Sequence, residues 1–257
     1  MQKLGQHFLK DNSVLEKIVN AIDLASNDVV IEVGPGHGEL TDKILMGGKK
    51  IKLIIIERDK IFVEKLKEKY KTFKNVEILS GNALEILPSL IKNLENYKIV
   101  GNIPYYITGF LFRILGDTKN KPTLSIFTIQ KEVAERIVAE PPKMNLLAAS
   151  IGCWAKSEIV SIVSKSSFSP PPKVDSAIIK LVTRVGYKET PNYYEFIRAL
   201  FKQPRKTISN NLSVYKKISK LDLENIFKEN RLSGTLRPQN LKIEQIVKLS
   251  TVFSPKK

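Results

Sequence analysis

Val29-Val30-Ile31-Glu32-Val33-Gly34-Pro35-Gly36-His37-Gly38 decides the fold. Five residues dense in valine and isoleucine read as a strand covered on both faces, and glycine at every second position then forces a tight turn. A helix begins near Leu40. Working outward, further short apolar runs occur at Leu53–Ile56, Val76–Leu79, Lys98–Val100 and Leu124–Ile129. Helical stretches separate them, one marked by Phe62, Leu66 and Tyr70 at i, i+4 spacing. Ser13-Val14-Leu15-Glu16 has the form of a capping box before an earlier helix. The alternation predicts an α/β fold, a Rossmann-like doubly wound sheet. Two more β-like runs, Glu158–Val163 and Ala177–Val182, flank Phe168-Ser169-Pro170-Pro171-Pro172-Lys173. With no helix between them, they are expected to pair antiparallel at the end of the sheet.

The glycine turn is G-x-G-x-G, whereas dinucleotide sites carry G-x-G-x-x-G and seat a pyrophosphate at the helix N-terminus. Glu32 just before the loop would repel a pyrophosphate, whereas a carboxylate suits a cationic sulfonium and amino group. Glu57 ends the second long strand, 19 residues after Gly38, placed to accept from ribose hydroxyls. Asn82, in Gly81-Asn82-Ala83 after the third, can read an adenine amine. Glu32, Gly34, Gly36, Glu57 and Asn82 therefore point to S-adenosyl-L-methionine as the cofactor.

Asn102-Ile103-Pro104-Tyr105 follows the fourth strand. An exocyclic adenine amine is a poor nucleophile because its lone pair is delocalised into the ring. The Asn102 side-chain oxygen and a backbone carbonyl beside Pro104 can accept its two N–H bonds and free that lone pair. A strong general base is not needed, because the proton leaves after the nitrogen becomes cationic. Tyr105 offers a stacking face, Phe168 in the proline-rich loop can close the other side of the base, and Tyr106 reads as packing. Asn102, Pro104, Tyr105 and Phe168 form the expected catalytic set.

The chain has 257 residues, 42 % of them hydrophobic, and a net charge of +16. This charge points to a polyanionic partner. From Thr190 to Lys257, fourteen Lys and Arg stand against five Asp and Glu, so this quarter carries +9 of the total. Helical stripes there, Phe196/Leu200, Ile197/Phe201 and Ile243/Ile246/Val247, predict a small basic helical domain, with a boundary near Arg184–Pro191: residues 1–186 for the sheet domain, 187–257 for the helices. One cysteine, Cys153, excludes an internal disulfide and fits a reducing cytoplasm. One Cys and two His make a zinc site unexpected. No apolar run is long enough to span a membrane, and the first residues lack the apolar region of a signal peptide.

These residues resemble the ribosomal RNA adenine dimethyltransferase family of the small ribosomal subunit. That family includes the bacterial KsgA enzymes and their archaeal and eukaryotic counterparts, with the Erm resistance methyltransferases more distant. The matching stretches are Leu4–Leu9, Glu32–Gly38, Glu57–Asp59, Gly81–Ala83, Gly101–Tyr105, Gln130–Arg136, Phe168–Ser176, Arg205–Thr207 and Arg237–Leu241. The resemblance implies dimethylation at N6 of two adjacent adenines near the 3′ end of small-subunit rRNA, a role in small-subunit biogenesis, and a monomer acting on the immature subunit. It implies cofactor contacts at His7, Leu9, Gly34, Glu57, Asn82 and Asn102, and RNA contacts by the C-terminal part at Arg205, Lys206 and Arg237. The chain departs from the family pattern at Asn82, where aspartate is usual, and at Met144–Ala148, where the family often carries an arginine and an aromatic.

Two other readings compete with this one. An Erm-like enzyme of large-subunit rRNA, or a DNA adenine methyltransferase, would use the same chemistry, although a DNA enzyme would carry a larger recognition region. A ribosome-assembly factor weakened in catalysis would share the fold, but the intact Asn102–Tyr105 stretch speaks against it.

Overall fold

The computed structural model describes residues 7–47, 49–186, 191–215 and 218–254. The Leu4–Gln6 part of the first matching stretch and residues 187–190 of the expected boundary lie outside them. Along the chain run β1 (Phe8–Leu9), α1 (Asn12–Ile22), β2 (Val29–Val33), α2 (Glu39–Met46), β3 (Lys52–Glu57), α3 (Lys60–Lys69), β4 (Val76–Ser80), α4 (Ala83–Leu90), β5 (Tyr97–Asn102) and α5 (Thr108–Asp117). Next come β6 (Leu124–Gln130), α6 (Lys131–Ile137), α7 (Leu146–Gly152), β7 (Ala155–Val163), β8 (Phe168–Ser169) and β9 (Ser176–Thr183). The last helices are α8 (Tyr193–Leu200), α9 (Ile208–Leu212), α10 (Lys220–Glu229) and α11 (Ile243–Val252).

Every expected strand is present. The seven-stranded sheet has the order β4-β3-β2-β5-β6-β9-β7. β4 to β6 are parallel, and β9 runs antiparallel to β6. The valine- and isoleucine-rich runs are central because residues of both faces are buried: Val30, Ile31, Leu53, Ile54, Ile55 and Val100 are all essentially inaccessible. β7 alternates half-buried and exposed positions between buried ends, as a strand with one wet face must. A separate two-stranded ribbon joins β1 to β8, with Leu9 opposite Phe168.

The cap of α1 differs from the sequence expectation. Asp11 is the N-cap and accepts from the backbone N–H groups of Ser13 and Val14. Because the helix starts at Asn12, Ser13 already lies in the first turn, and its hydroxyl donates to Asp11 instead.

The chain divides into two compact units. One comprises the chain up to Ala134 with Ser157–Thr183, and the other comprises Glu135–Lys156 with the chain from Arg184 onward. The second unit thus includes a segment whose sequence reads as part of the sheet domain. Asn145 caps α7 by accepting from Leu147 and Ala148, and the Met144 N–H donates to the Gln239 carbonyl. Tyr193 Oη donates to the Ala149 carbonyl at 2.9 Å. The departure at Met144–Ala148 therefore lies within the helical unit, packed against α8 and the turn before α11.

In the sheet, Gly101 of β5 sits opposite Val33 of β2. A Cβ on Gly101 would stand 2.5 Å from the Val33 carbonyl oxygen. Gly101→Ala is therefore expected to destabilise the sheet unit by on the order of 1–3 kcal/mol, the scale of core overpacking. Urea unfolding followed by circular dichroism checks this, and an unchanged midpoint would contradict it.

Candidate active site

β2 has β3 on one side and β5 on the other. The strand order reverses there, and open α/β sheets bind ligands at the carboxyl ends of strands flanking such a point. A cavity of about 220 Å³ lies at that place. Nine of the expected residues line it: His7, Gly34, Gly36, Glu57, Asn82, Asn102, Pro104, Tyr105 and Phe168. Leu9 and Glu32 do not. Leu9, in β1, turns its side chain into the core.

The glycine turn is built inward. Gly34, Gly36 and Gly38 all have positive φ. Their N–H groups donate to the Ile56 carbonyl, to Glu57 Oε2 and to the Pro35 carbonyl respectively. A phosphate-binding turn must aim such groups at its ligand, and here the protein itself uses them. A Cβ on Gly36 would lie 2.7 Å from the Phe8 ring, so the turn and the N-terminal strand close on one another. Phe8 in turn packs at a steep angle against His37 and edge-on against Phe62, ring centroids 4.6 and 5.5 Å away.

Glu57 accepts from Gly36 N–H through Oε2 and from Asp59 N–H through Oε1, at 3.2 and 2.8 Å. A carboxylate has about four acceptor positions, so it keeps capacity for a diol. Burial raises its pKa. Asn82 caps α4, its Oδ1 accepting from Leu84 N–H while Nδ2 donates to Glu85. Its side chain therefore serves the helix as well as the cavity wall.

Glu32 lies behind the turn. It is 1 % exposed, and Thr41 Oγ1 donates to its Oε2 at 2.7 Å. Burial pushes the carboxyl up to about 8. Its place is to hold α2 against the turn, and the cation-facing position expected from sequence is not where the side chain sits.

Asn102 Nδ2 donates to the His7 carbonyl at 2.7 Å. That bond fixes the amide, and the acceptor Oδ1 is its other end. The Pro104 carbonyl is taken by Ile107 N–H in a 3₁₀ turn, so of the two backbone carbonyls beside the proline, that of Ile103 is the candidate acceptor. Tyr105 Oη and Ser176 Oγ are 2.9 Å apart, which holds the ring in place. Sequence reasoning missed Ser176 because it lies 71 positions away. Tyr106 is not packing, as the sequence suggested: the 3₁₀ turn separates it from Tyr105 and leaves it 56 % exposed on the cavity wall.

In the helical unit, Ile208 N–H donates to the Leu236 carbonyl at 2.7 Å. This bond brings the turn bearing Arg205 and Lys206 beside Arg237, and all three side chains are exposed. Asn211, another residue missed from sequence, bonds both the N–H and the carbonyl of Gln203 and closes that turn. Among the described residues no cluster of His, Cys, Asp and Glu suited to a metal ion occurs, and no helix is long and apolar enough to cross a membrane.

A doubly wound sheet, a glycine turn not built for phosphate, an acidic residue ending the next strand and an Asn-Ile-Pro-Tyr turn at the switch point define a class: the S-adenosylmethionine-dependent methyltransferases. The comparisons with known proteins are narrower. The family model for ribosomal RNA adenine dimethylases matches residues 1–254. The chain is 37 % identical to ribosomal RNA small subunit methyltransferase A of Dehalococcoides mccartyi strain CBDB1, over 98 % of this chain and 87 % of that one. It is 37 % identical to the protein of that name from Clostridium botulinum strain Kyoto, over 97 % and 92 %. Among solved structures, a dimethyladenosine transferase from Plasmodium falciparum superposes with a TM-score of 0.78 at 27 % identity, covering 95 % of this chain and 96 % of the other. The 23S rRNA methyltransferase ErmE superposes with 0.77 at 23 % identity, covering 95 % and 98 %, a likeness of fold. The chain belongs to the ribosomal RNA adenine dimethylase family.

The buried Glu32 gives a pH signature. Its carboxyl moves from an ordinary 4.5 to about 8, so the folded protein keeps a proton that the unfolded chain has already lost. Stability therefore falls as pH rises through that window and levels off above it. Glu32→Gln keeps the Thr41 bond without the charge. It is expected to flatten this fall, and urea titrations on both sides of the window test it. An unchanged pH profile would show that Glu32 is not the group responsible.

Proposed function

We propose that the protein dimethylates N6 of two adjacent adenines near the 3′ end of small-subunit rRNA, as a cytoplasmic monomer acting on the immature subunit. The observation that carries the reading is Asn102. The His7 carbonyl holds its Nδ2, which leaves Oδ1 as its acceptor, and Asn102 and Ile103 line the cavity together beside the glycine turn. Two acceptors so placed match the two N–H bonds of an adenine amine, and they raise the reactivity of its nitrogen by orienting the lone pair. Tyr105, held by Ser176, and Phe168 supply faces for the base. S-adenosylmethionine, when bound, supplies an electrophilic methyl group. Glu57, Asn82 and the backbone of the turn would hold it, with His7 closing the far side and Glu32 supporting the turn from behind.

The similarity of the fold to ErmE does not separate small-subunit from large-subunit substrates, because the two structural likenesses are nearly equal. The sequence relatives favour the small subunit. We assign catalysis to the sheet and RNA docking to the basic helical part, through Arg205, Lys206 and Arg237. Mass spectrometry of small-subunit and large-subunit rRNA after incubation with labelled cofactor tests the substrate. Label confined to large-subunit rRNA would overturn the assignment.

Asn102→Ala is expected to lower the rate of methyl transfer by about 10²–10³, as for loss of one preorganised hydrogen-bonding group, with cofactor affinity changed far less. Single-turnover kinetics beside calorimetry separate the two. A rate within tenfold of the parent would remove Asn102 from this role.

Replacing Arg205, Lys206 and Arg237 together by glutamine should weaken binding to small-subunit particles. It should also reduce the salt dependence by about 0.7–0.9 log units per lost phosphate contact per decade of salt. A parent-like slope would place the docking surface elsewhere.

A further inference from the structure

The rim of the cavity carries aromatic surface that the proposed chemistry does not use. Phe110, in the first turn of α5, is 64 % exposed, and Tyr106 one turn earlier is 56 % exposed. Both line the cavity. Phe110 also walls a second hollow of about 420 Å³, where Leu84, Pro88 and Ile114 are its apolar neighbours and Arg113 and Asp117 its charged ones. Leu84 and Phe110 belong to both spaces, so the hollow continues from the cavity.

Large aromatic faces left in water beside a pocket serve binding rather than folding. An adenine amine reaches Asn102 only when its base has left the stack. The strand then crosses the mouth of the cavity, and the neighbouring base loses its own stacking partner. An exposed ring beside that mouth replaces the lost stacking whatever the base, because every base has a π-face. Arg113 stands one turn beyond Phe110 on the same helix. Its Nε donates to Asp117 Oδ2 at 3.3 Å, and a guanidinium with five N–H donors can meet a phosphate as well.

We propose that this hollow is a second base subsite. The nucleobase adjoining the target adenine stacks on Phe110, Tyr106 lies between the two bases, and Arg113 meets the phosphate near them. The side of the hollow formed by Phe110 with Leu84, Pro88 and Ile114 is apolar, so the stacking contact selects for a base and not for its identity. The inference rests on the proposed RNA adenine methylation.

The test uses a synthetic small-subunit rRNA fragment whose methylated adenine has been mapped by mass spectrometry, and versions in which one neighbour is abasic. With the parent, one abasic neighbour should lower kcat/KM about tenfold, within the range for loss of one base–aromatic stack. Phe110→Ala should lower kcat/KM on the intact fragment by a similar factor and make the abasic change nearly silent. Phe110→Tyr should restore the dependence. Cofactor affinity by calorimetry should stay within twofold throughout. Losses that multiply, so that the abasic change costs Phe110→Ala as much as it costs the parent, would overturn the subsite. A fall in cofactor affinity matching the fall in kcat/KM would also overturn it, by assigning the hollow to the cofactor. Absence of any methyl transfer by the parent would instead sink the methylation reading, and the subsite with it.

Discussion

The close approach of β5 to β2 at Gly101 governs the rest of the site. A side chain there would stand 2.5 Å from the Val33 carbonyl, so only glycine lets the two strands keep their register to their carboxyl ends. Where the register ends, Gly34 leaves β2 and Asn102 leaves β5, and a Cβ on Gly34 would already be in ordinary contact with the Asn102 carbonyl, at 3.8 Å. The turn and the asparagine are thus brought together by strand pairing, and neither needs a flexible loop to reach the other. A site on paired strands is held more rigidly than one on loops, which suits chemistry that depends on orientation.

A second tie comes from the N-terminal strand. β1 pairs with β8, His7 hydrogen-bonds the Pro170 carbonyl through Nδ1, and the His7 carbonyl accepts from Asn102. Phe8 packs against Gly36 at the same place. Three segments distant in sequence therefore fix one amide. The orientation of Asn102 is a property of the assembled unit, and the short isolated turn could not supply it.

The sheet was legible because its central strands are buried on both faces, and that leaves continuous valine and isoleucine runs that a surface element would not have. The turn, Glu57 and Asn102 were legible because each ends a strand. What the sequence hid were pairings across long separations: Tyr105 with Ser176, Asn102 with His7, Gln203 with Asn211. Tyr106 was misread because adjacent aromatics look alike in sequence, whereas a 3₁₀ turn sends one to a hydroxyl partner and leaves the other in water. The segment around α7 reads as part of the sheet domain because it lies between two strands in sequence. Its bonds to Tyr193 and Gln239 are with the helices.

The antiparallel strand at the end of the sheet has its own consequence. In the parallel part every strand begins at the face away from the site. β9 runs the other way, so its first residue, Ser176, pairs with Gln130 at the carboxyl end of β6. Ser176 therefore arrives beneath Tyr105, behind the cavity wall, together with the proline-rich segment that precedes it. That segment carries Phe168 to the cavity wall and to the pairing with β1. A parallel strand in that position would deliver both to the opposite face. Reversal of one strand is thus what places the hydroxyl that holds Tyr105 and the Phe168 ring on the same side as Asn102.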